Sequence, residues 1–104
     1  MKLKDRVAIV TGGGKGIGQE ICLGLVKEGA KIVIAEIDIE NSEKAKKKII
    51  EAGSEAIIIK TDVSNQNSIN EMVEQTIKHF GKIDILINNA GIRHVKKLLD
   101  HTKQ

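Results

Sequence analysis

Apolar residues in this chain fall into four short blocks, at positions 7–10, 32–35, 56–59 and 83–87, each rich in valine or isoleucine. None alternates apolar with polar positions. Strands of this kind are buried on both faces, as in a parallel sheet covered above and below by helices. Between the blocks the spacing changes to that of helices. Ile17, Ile21, Cys22, Leu25 and Val26 share one helical face, and Gly29 is suited to the left-handed residue after its end. Ala45, Ile49 and Ile50 face inward on a second helix capped by Asn41 or Ser42 and closed by Gly53. Ile69, Met72, Val73, Thr76, Ile77 and Phe80 line a third, which Gly81 ends.

Strand, helix, strand repeated without long linkers implies right-handed crossovers between parallel strands. The expected fold class is therefore α/β: an open parallel sheet of the Rossmann kind, about four strands long, with helices on both faces. The segment 92–104 fits no such unit and reads as a short helix or an irregular excursion.

Length and composition narrow this further. The chain has 104 residues, which leaves room for one modest domain. Its core must be almost wholly aliphatic, because there is one Phe and neither Tyr nor Trp. Seventeen basic and fourteen acidic side chains give a net charge of +3, which demands no nucleic acid partner. No apolar run is long enough to span a membrane or serve as a secretory leader, and a single cysteine forms no internal disulfide. A soluble, cytoplasmic protein is expected.

The chemistry centres on Thr11-Gly-Gly-Gly-Lys-Gly-Ile-Gly18. A strand that turns through glycines into a helix gathers backbone N–H groups at the positive end of the helix dipole, which suits a phosphate or pyrophosphate. A P-loop is excluded, since Lys15 is followed by glycine where that motif needs Ser or Thr. Glu36 stands just past the second strand. A carboxylate there can accept both hydroxyls of an adenosine ribose and repels a 2′-phosphate, favouring NAD over NADP. Asp38 is the less well placed alternative, and Lys15 pulls toward NADP. Asp62, at the end of the third strand, can accept from an adenine amino group or cap the next helix, with Ser64 competing for the cap. Asn88 and Asn89 end the fourth strand, where buried amides must tie loops together or meet a ligand. Lys44, Lys46, Lys47 and Lys48 read as a solvated helix face, since no aromatic interleaves to stack bases. His79, His94, Asp100 and His101 match no metal-ligand spacing, and no metal is expected.

Taken together, Thr11-Gly-x-x-x-Gly-x-Gly18, Asp62-Val63 and Asp84-Ile-Leu-Ile-Asn-Asn-Ala-Gly91 resemble the short-chain dehydrogenase/reductase family. The likeness runs from about Lys4 to Gly91 and weakly beyond. It implies NAD(P)-dependent alcohol–ketone chemistry, 3-oxoacyl reduction being one example, and a strand order of 3-2-1-4. It implies that Gly12, Gly16, Ile17 and Gly18 hold the pyrophosphate, with Lys15 beside them. It further implies that Asp62 and Val63 touch adenine, that Asn89 meets the adenosine-side ribose, and that Asn88 braces the sheet. Glu36 matches the acid of NAD-preferring members.

The family's catalytic Ser and Tyr-x-x-x-Lys lie later in its fold, and this chain contains no tyrosine. No catalytic residue is assigned. The expectation is an N-terminal cofactor-binding portion at 1–91, with 92–104 entering a later part of the fold. The alternative is a non-catalytic dinucleotide-binding module or the product of a truncated reading frame. In either case the strand at 83–87 would lie at a sheet edge, apolar on both faces and open to self-association.

Overall fold

A computed structural model describes residues 1–14 and 16–89. Lys15 and the expectations for 92–104 lie outside the described residues. The elements run β1 (Val7–Thr11), α1 (Gly16–Lys27), β2 (Lys31–Glu36), α2 (Ile39–Glu51), β3 (Ala56–Lys60), α3 (Gln66–Phe80) and β4 (Ile85–Asn88). The four strands form one parallel sheet in the order β3-β2-β1-β4. That is the order expected from the sequence, and it places β1 in the interior.

Two aliphatic clusters hold the sheet. On one face Ala8, Val10, Ile32 and Ile34 meet Cys22 and Val26 of α1 and Ala45 and Ile49 of α2. On the other, Val7, Ile9, Val33, Ala35 and Ile59 meet Ile69 and Met72 of α3. Successive strand residues thus feed opposite clusters, which explains why the strands carry no polar alternation. Each fully buried isoleucine contributes about 1.5–3 kcal/mol relative to exposure.

Helix boundaries hold in outline, and the capping residues differ. Asp38 caps α2 by accepting the Asn41 N–H at 3.2 Å. Ser42 is buried instead, its hydroxyl donating to the Asp38 carbonyl at 2.8 Å. Asn65 caps α3 through the Ser68 N–H at 3.0 Å. Asp62 and Ser64 come too early for that cap and form a turn of their own. Gly29 closes α1 as expected, at φ 93°, with Gly29 N–H donating to the Val26 carbonyl and Ala30 N–H to that of Leu25. Among the residues expected to face inward, Ile17, Ile50 and Ile77 are exposed. The apolar stripe of each helix is narrower than its composition suggests.

β4 begins two residues later than the 83–87 block implied and extends to Asn88. The cause is Asp84. Its N–H donates to the Val7 carbonyl at 2.9 Å, but the Val7 N–H donates to its side-chain Oδ2 at 2.8 Å rather than to a backbone carbonyl. Arg6 and Lys82 approach the same carboxylate at 3.3 and 3.2 Å. The hydrogen bond from Val7, followed by the two nearby cations, holds the Asp84 carboxyl below its ordinary value of 3.8. A depressed carboxylate stabilises the fold above its ordinary pKa and loses that contribution as pH falls through the folded value. Asp84→Asn should therefore lower the urea midpoint at pH 7, and the gap from the parent chain should close on acidification. Urea titrations at several pH values check this.

Candidate functional site

The carboxyl ends of β1, β2, β3 and β4 converge on one edge of the sheet. Their anchor is Thr11, the last residue of β1, fully buried. Its hydroxyl donates to Asn88 Oδ1 at 3.0 Å and accepts from the Asn89 N–H at 3.0 Å. A buried hydroxyl costs stability unless it is paired, and this one both donates and accepts. Asn88 thus braces the sheet, as the family likeness implied. A polar Thr11 closing an otherwise apolar strand is the sequence signal for this role, and periodicity alone passes over it.

From Thr11 the chain turns through glycines. The Gly12 N–H still donates to the Ala35 carbonyl at 2.9 Å while its φ of 67° swings the backbone off the strand. Gly14 lies against α2, where an added Cβ would stand 2.8 Å from Ser42 Oγ. Gly18, in the first turn of α1, packs so closely that a Cβ would run into the Gly12 carbonyl oxygen, with Asn89 Nδ2 at 2.8 Å. Asn89 Nδ2 in turn donates to that same carbonyl at 3.3 Å. The turn is therefore clamped from β4, α1 and α2 together. No acidic residue occupies the first turn of α1, whose leading N–H groups have no partner within the helix. Ile17 beside them is 73% exposed, an isoleucine at the open edge of the turn rather than in the core.

Glu36 ends β2. Its Oε1 accepts the N–H groups of Ile37 at 3.0 Å and Asp38 at 3.3 Å, which fixes the carboxylate at the mouth of the loop. Both bonds use Oε1, so Oε2 remains an available acceptor. Asp38, the alternative acid, is committed to the α2 cap through both of its oxygens. Asp62 Oδ1 accepts the Ser64 N–H at 2.9 Å and its hydroxyl at 2.6 Å. A crevice of about 110 Å³ is lined by Gly12, Glu36, Ile37, Asp62 and Val63 with Ala35 and Thr61. Four of the sequence-derived residues, Gly12, Glu36, Asp62 and Val63, are thereby brought together from three strand ends. Gly16, Ile17, Gly18 and Asn89 surround the adjoining turn and do not line that crevice. Ile37 is an addition that the sequence did not offer, since an apolar residue after a charged strand end carries no distinguishing pattern.

Other reactive groups have structural roles. Cys22 is buried, and that burial pushes its thiol up to about 12. It stays protonated at neutral pH and packs beneath Gly13. His79 stacks edge-on to Phe80, with ring centroids 4.6 Å apart. Among the described residues no group of three His, Cys, Asp or Glu side chains is placed to hold a metal. Nor is any described helix long and apolar enough to cross a membrane.

The sheet order and the glycine turn at its carboxyl edge define a Rossmann-type α/β protein. Comparison with known proteins is more specific. The sequence profile of the short chain dehydrogenase family matches residues 6–104. An uncharacterized oxidoreductase of Thermotoga maritima is 41% identical over 98 residues, spanning 94% of this chain and 38% of that protein. General stress protein 39 of Bacillus subtilis is 43% identical over 97 residues, spanning 92% of this chain and 34% of that one. Among solved structures, NAD+-bound xylitol dehydrogenase superposes with a TM-score of 0.91 at 28% identity, over 96% of this chain and 47% of its own. The chain belongs to the short-chain dehydrogenase/reductase family, and it spans less than half the length of these relatives.

Two glycines give opposite expectations. Gly18→Ala forces its methyl into the Gly12 carbonyl, an overpacking that should cost about 1–3 kcal/mol. Gly24, mid-helix in α1, has nothing within 4 Å of where a Cβ would stand, so Gly24→Ala should stabilise by about 0.5–1 kcal/mol. Chemical denaturation of the two variants measures both.

Proposed function

We propose that this chain is the cofactor-binding portion of an NAD(P)-dependent oxidoreductase acting on alcohols and ketones, 3-oxoacyl reduction being one candidate reaction. The observation that carries the reading is the crevice in which Gly12, Glu36, Asp62 and Val63 meet beside the clamped glycine turn. The residues fit a dinucleotide. Gly18 leaves no room for a side chain under the turn, so backbone rather than side chain faces the ligand there. The N–H groups at the start of α1, without partners in the helix, suit a pyrophosphate, with Gly16 and Ile17 beside them and Lys15 adjacent in sequence. Glu36 accepts from ribose hydroxyls, Asp62 and Val63 border the adenine, and Asn89 holds the turn toward the ribose. The NAD+ bound to the xylitol dehydrogenase neighbour supports the same cofactor class. Once bound, the nicotinamide supplies a hydride acceptor or donor.

Within this chain the residues bind and orient; none moves the substrate proton. Family chemistry draws that step from a Tyr-x-x-x-Lys pair and a Ser, and the 104 residues include no tyrosine. In this proposal those groups come from further sequence. The same absence favours a second reading, a dinucleotide-binding module without catalysis. The two separate on mixing the chain with a separately produced C-terminal half from a complete family member and following NADH oxidation. Turnover in the mixture alone supports the first reading, and its absence despite dinucleotide binding supports the second. We further propose that β4, paired with β1 alone among the described residues, is completed by another strand, in self-association if not from the same chain.

Glu36 is the residue chosen to favour NAD. Glu36→Ala should weaken NAD binding about tenfold through loss of charged hydrogen bonds and narrow the preference over NADP. Calorimetric titration with both cofactors checks it, and equal affinities before and after the change would remove Glu36 from the site.

A further inference from the structure

Gly14 stands at one of the unspecified positions of Thr11-Gly-x-x-x-Gly-x-Gly18, so the motif itself calls for no glycine there. Nor does the backbone, because Gly12 and Gly16 turn through positive φ and Gly14 does not. Space does. A Cβ on Gly14 would stand 2.8 Å from Ser42 Oγ, 3.1 Å from Ser42 N and 3.2 Å from Ser42 Cα. Both residues are buried, and all three atoms belong to one residue in the first turn of α2.

Ser42 is not free to give way. Its hydroxyl donates to the Asp38 carbonyl at 2.8 Å, and its N–H donates to the same oxygen at 3.2 Å. Asp38 is held in turn, its N–H donating to Glu36 Oε1 at 3.3 Å and its carboxylate capping α2 through Asn41. A continuous path of contacts thus joins the Glu36 carboxylate to the glycine turn through Asp38 and Ser42. Close-packed interiors transmit strain, so a shift at one end of this path reaches the other.

We propose that Ser42 is a positioning residue of the dinucleotide site, the joint that sets the distance between the glycine turn and the Glu36 loop. It touches no ligand itself. A dinucleotide spans the two, its pyrophosphate at the turn and its ribose at Glu36, so holding both at once requires that spacing to match the ligand. A short hydroxyl side chain meets two demands together: it fits against Gly14, and it reaches back to the carbonyl at the helix cap. Alanine meets only the first, and valine or leucine neither. Ser42 takes this role on the reading that the site binds a dinucleotide.

The test is a double-mutant cycle on the 104-residue chain: parent, Gly14→Ala, Ser42→Ala and the two together. ADP is titrated by calorimetry where circular dichroism shows each variant folded, and urea midpoints are measured separately. Gly14→Ala, its methyl pressed on Ser42 Oγ, should weaken ADP binding about tenfold. Ser42→Ala alone should weaken it about threefold through the lost bond to Asp38. Added to Gly14→Ala, the same change should instead strengthen binding at least about threefold, because the nearest contact is gone. In ligand-free NMR spectra Gly14→Ala should shift the Ile37 and Asp38 amides, and the double variant should bring them back toward the parent. A merely structural contact couples the urea midpoints and leaves the ADP affinities of the folded variants alike, which would overturn the proposal. So would losses of affinity that simply add. Should Gly14→Ala not fold, Ser42→Ala decides, and unchanged ADP affinity with an unmoved Gly14 amide overturns the proposal. Should the parent bind neither ADP nor NAD, the dinucleotide reading fails. The amide shifts then decide the joint alone, upheld if the double variant restores Ile37 and Asp38 and overturned if it does not.

Discussion

The hydroxyl of Thr11 holds the strand-end edge of this molecule together. It sits where β1 ends and the glycine turn begins, and its two hydrogen bonds to Asn88 and Asn89 fasten β4 to that point. Asn89 then reaches on to the Gly12 carbonyl, against which Gly18 of α1 is pressed. Strand, turn and helix are thereby set by one chain of contacts, and the N–H groups at the head of α1 take their direction from it. The opposite end of the same seam is also closed by a side chain. Asp84 replaces a backbone acceptor for Val7, so β1 and β4 are pinned by polar groups at both ends with isoleucine and leucine between.

The crevice is built by convergence of strand ends. In a parallel sheet all carboxyl termini lie at one edge, so the residues just after β1, β2 and β3 become neighbours however far apart they are in sequence. Gly12, Glu36 and Asp62 meet for that reason. Local bonding then sorts the acids. Asp38 is consumed by the α2 cap, while Glu36 has one oxygen fixed by its own loop. Glu36 makes no ion pair among the described residues, and its bonds to the Ile37 and Asp38 N–H groups both fall on Oε1.

Much of this was legible in the chain. The aliphatic blocks, the helical spacing between them and the glycine turn led to the element order, and the motifs at Thr11, Asp62 and Asp84 led to the family and the strand order. The errors were local. Asp38 and Asn65 cap the helices for which Asn41 or Ser42, and Asp62 or Ser64, were the candidates, because Asp, Asn and Ser all accept the same backbone bond and differ only by the residue at which the helix starts. Ile50 and Ile77 were placed in the core because helical spacing shows that residues share a face and not how far a sheet extends over it. Lys44, Lys47 and Lys48 are exposed on α2, in keeping with their reading as a solvated helix face.

The sequence by itself determined which segments become strands and helices and where glycines turn one into the other, because periodicity and glycine placement are properties of neighbouring residues. Tertiary structure alone decided that Thr11 would be the hub, that Asp84 would shorten β4, and that α2 would border the glycine turn. Each depends on a partner tens of residues away, and a side chain's hydrogen bonds and charge environment are set by what the fold places opposite it.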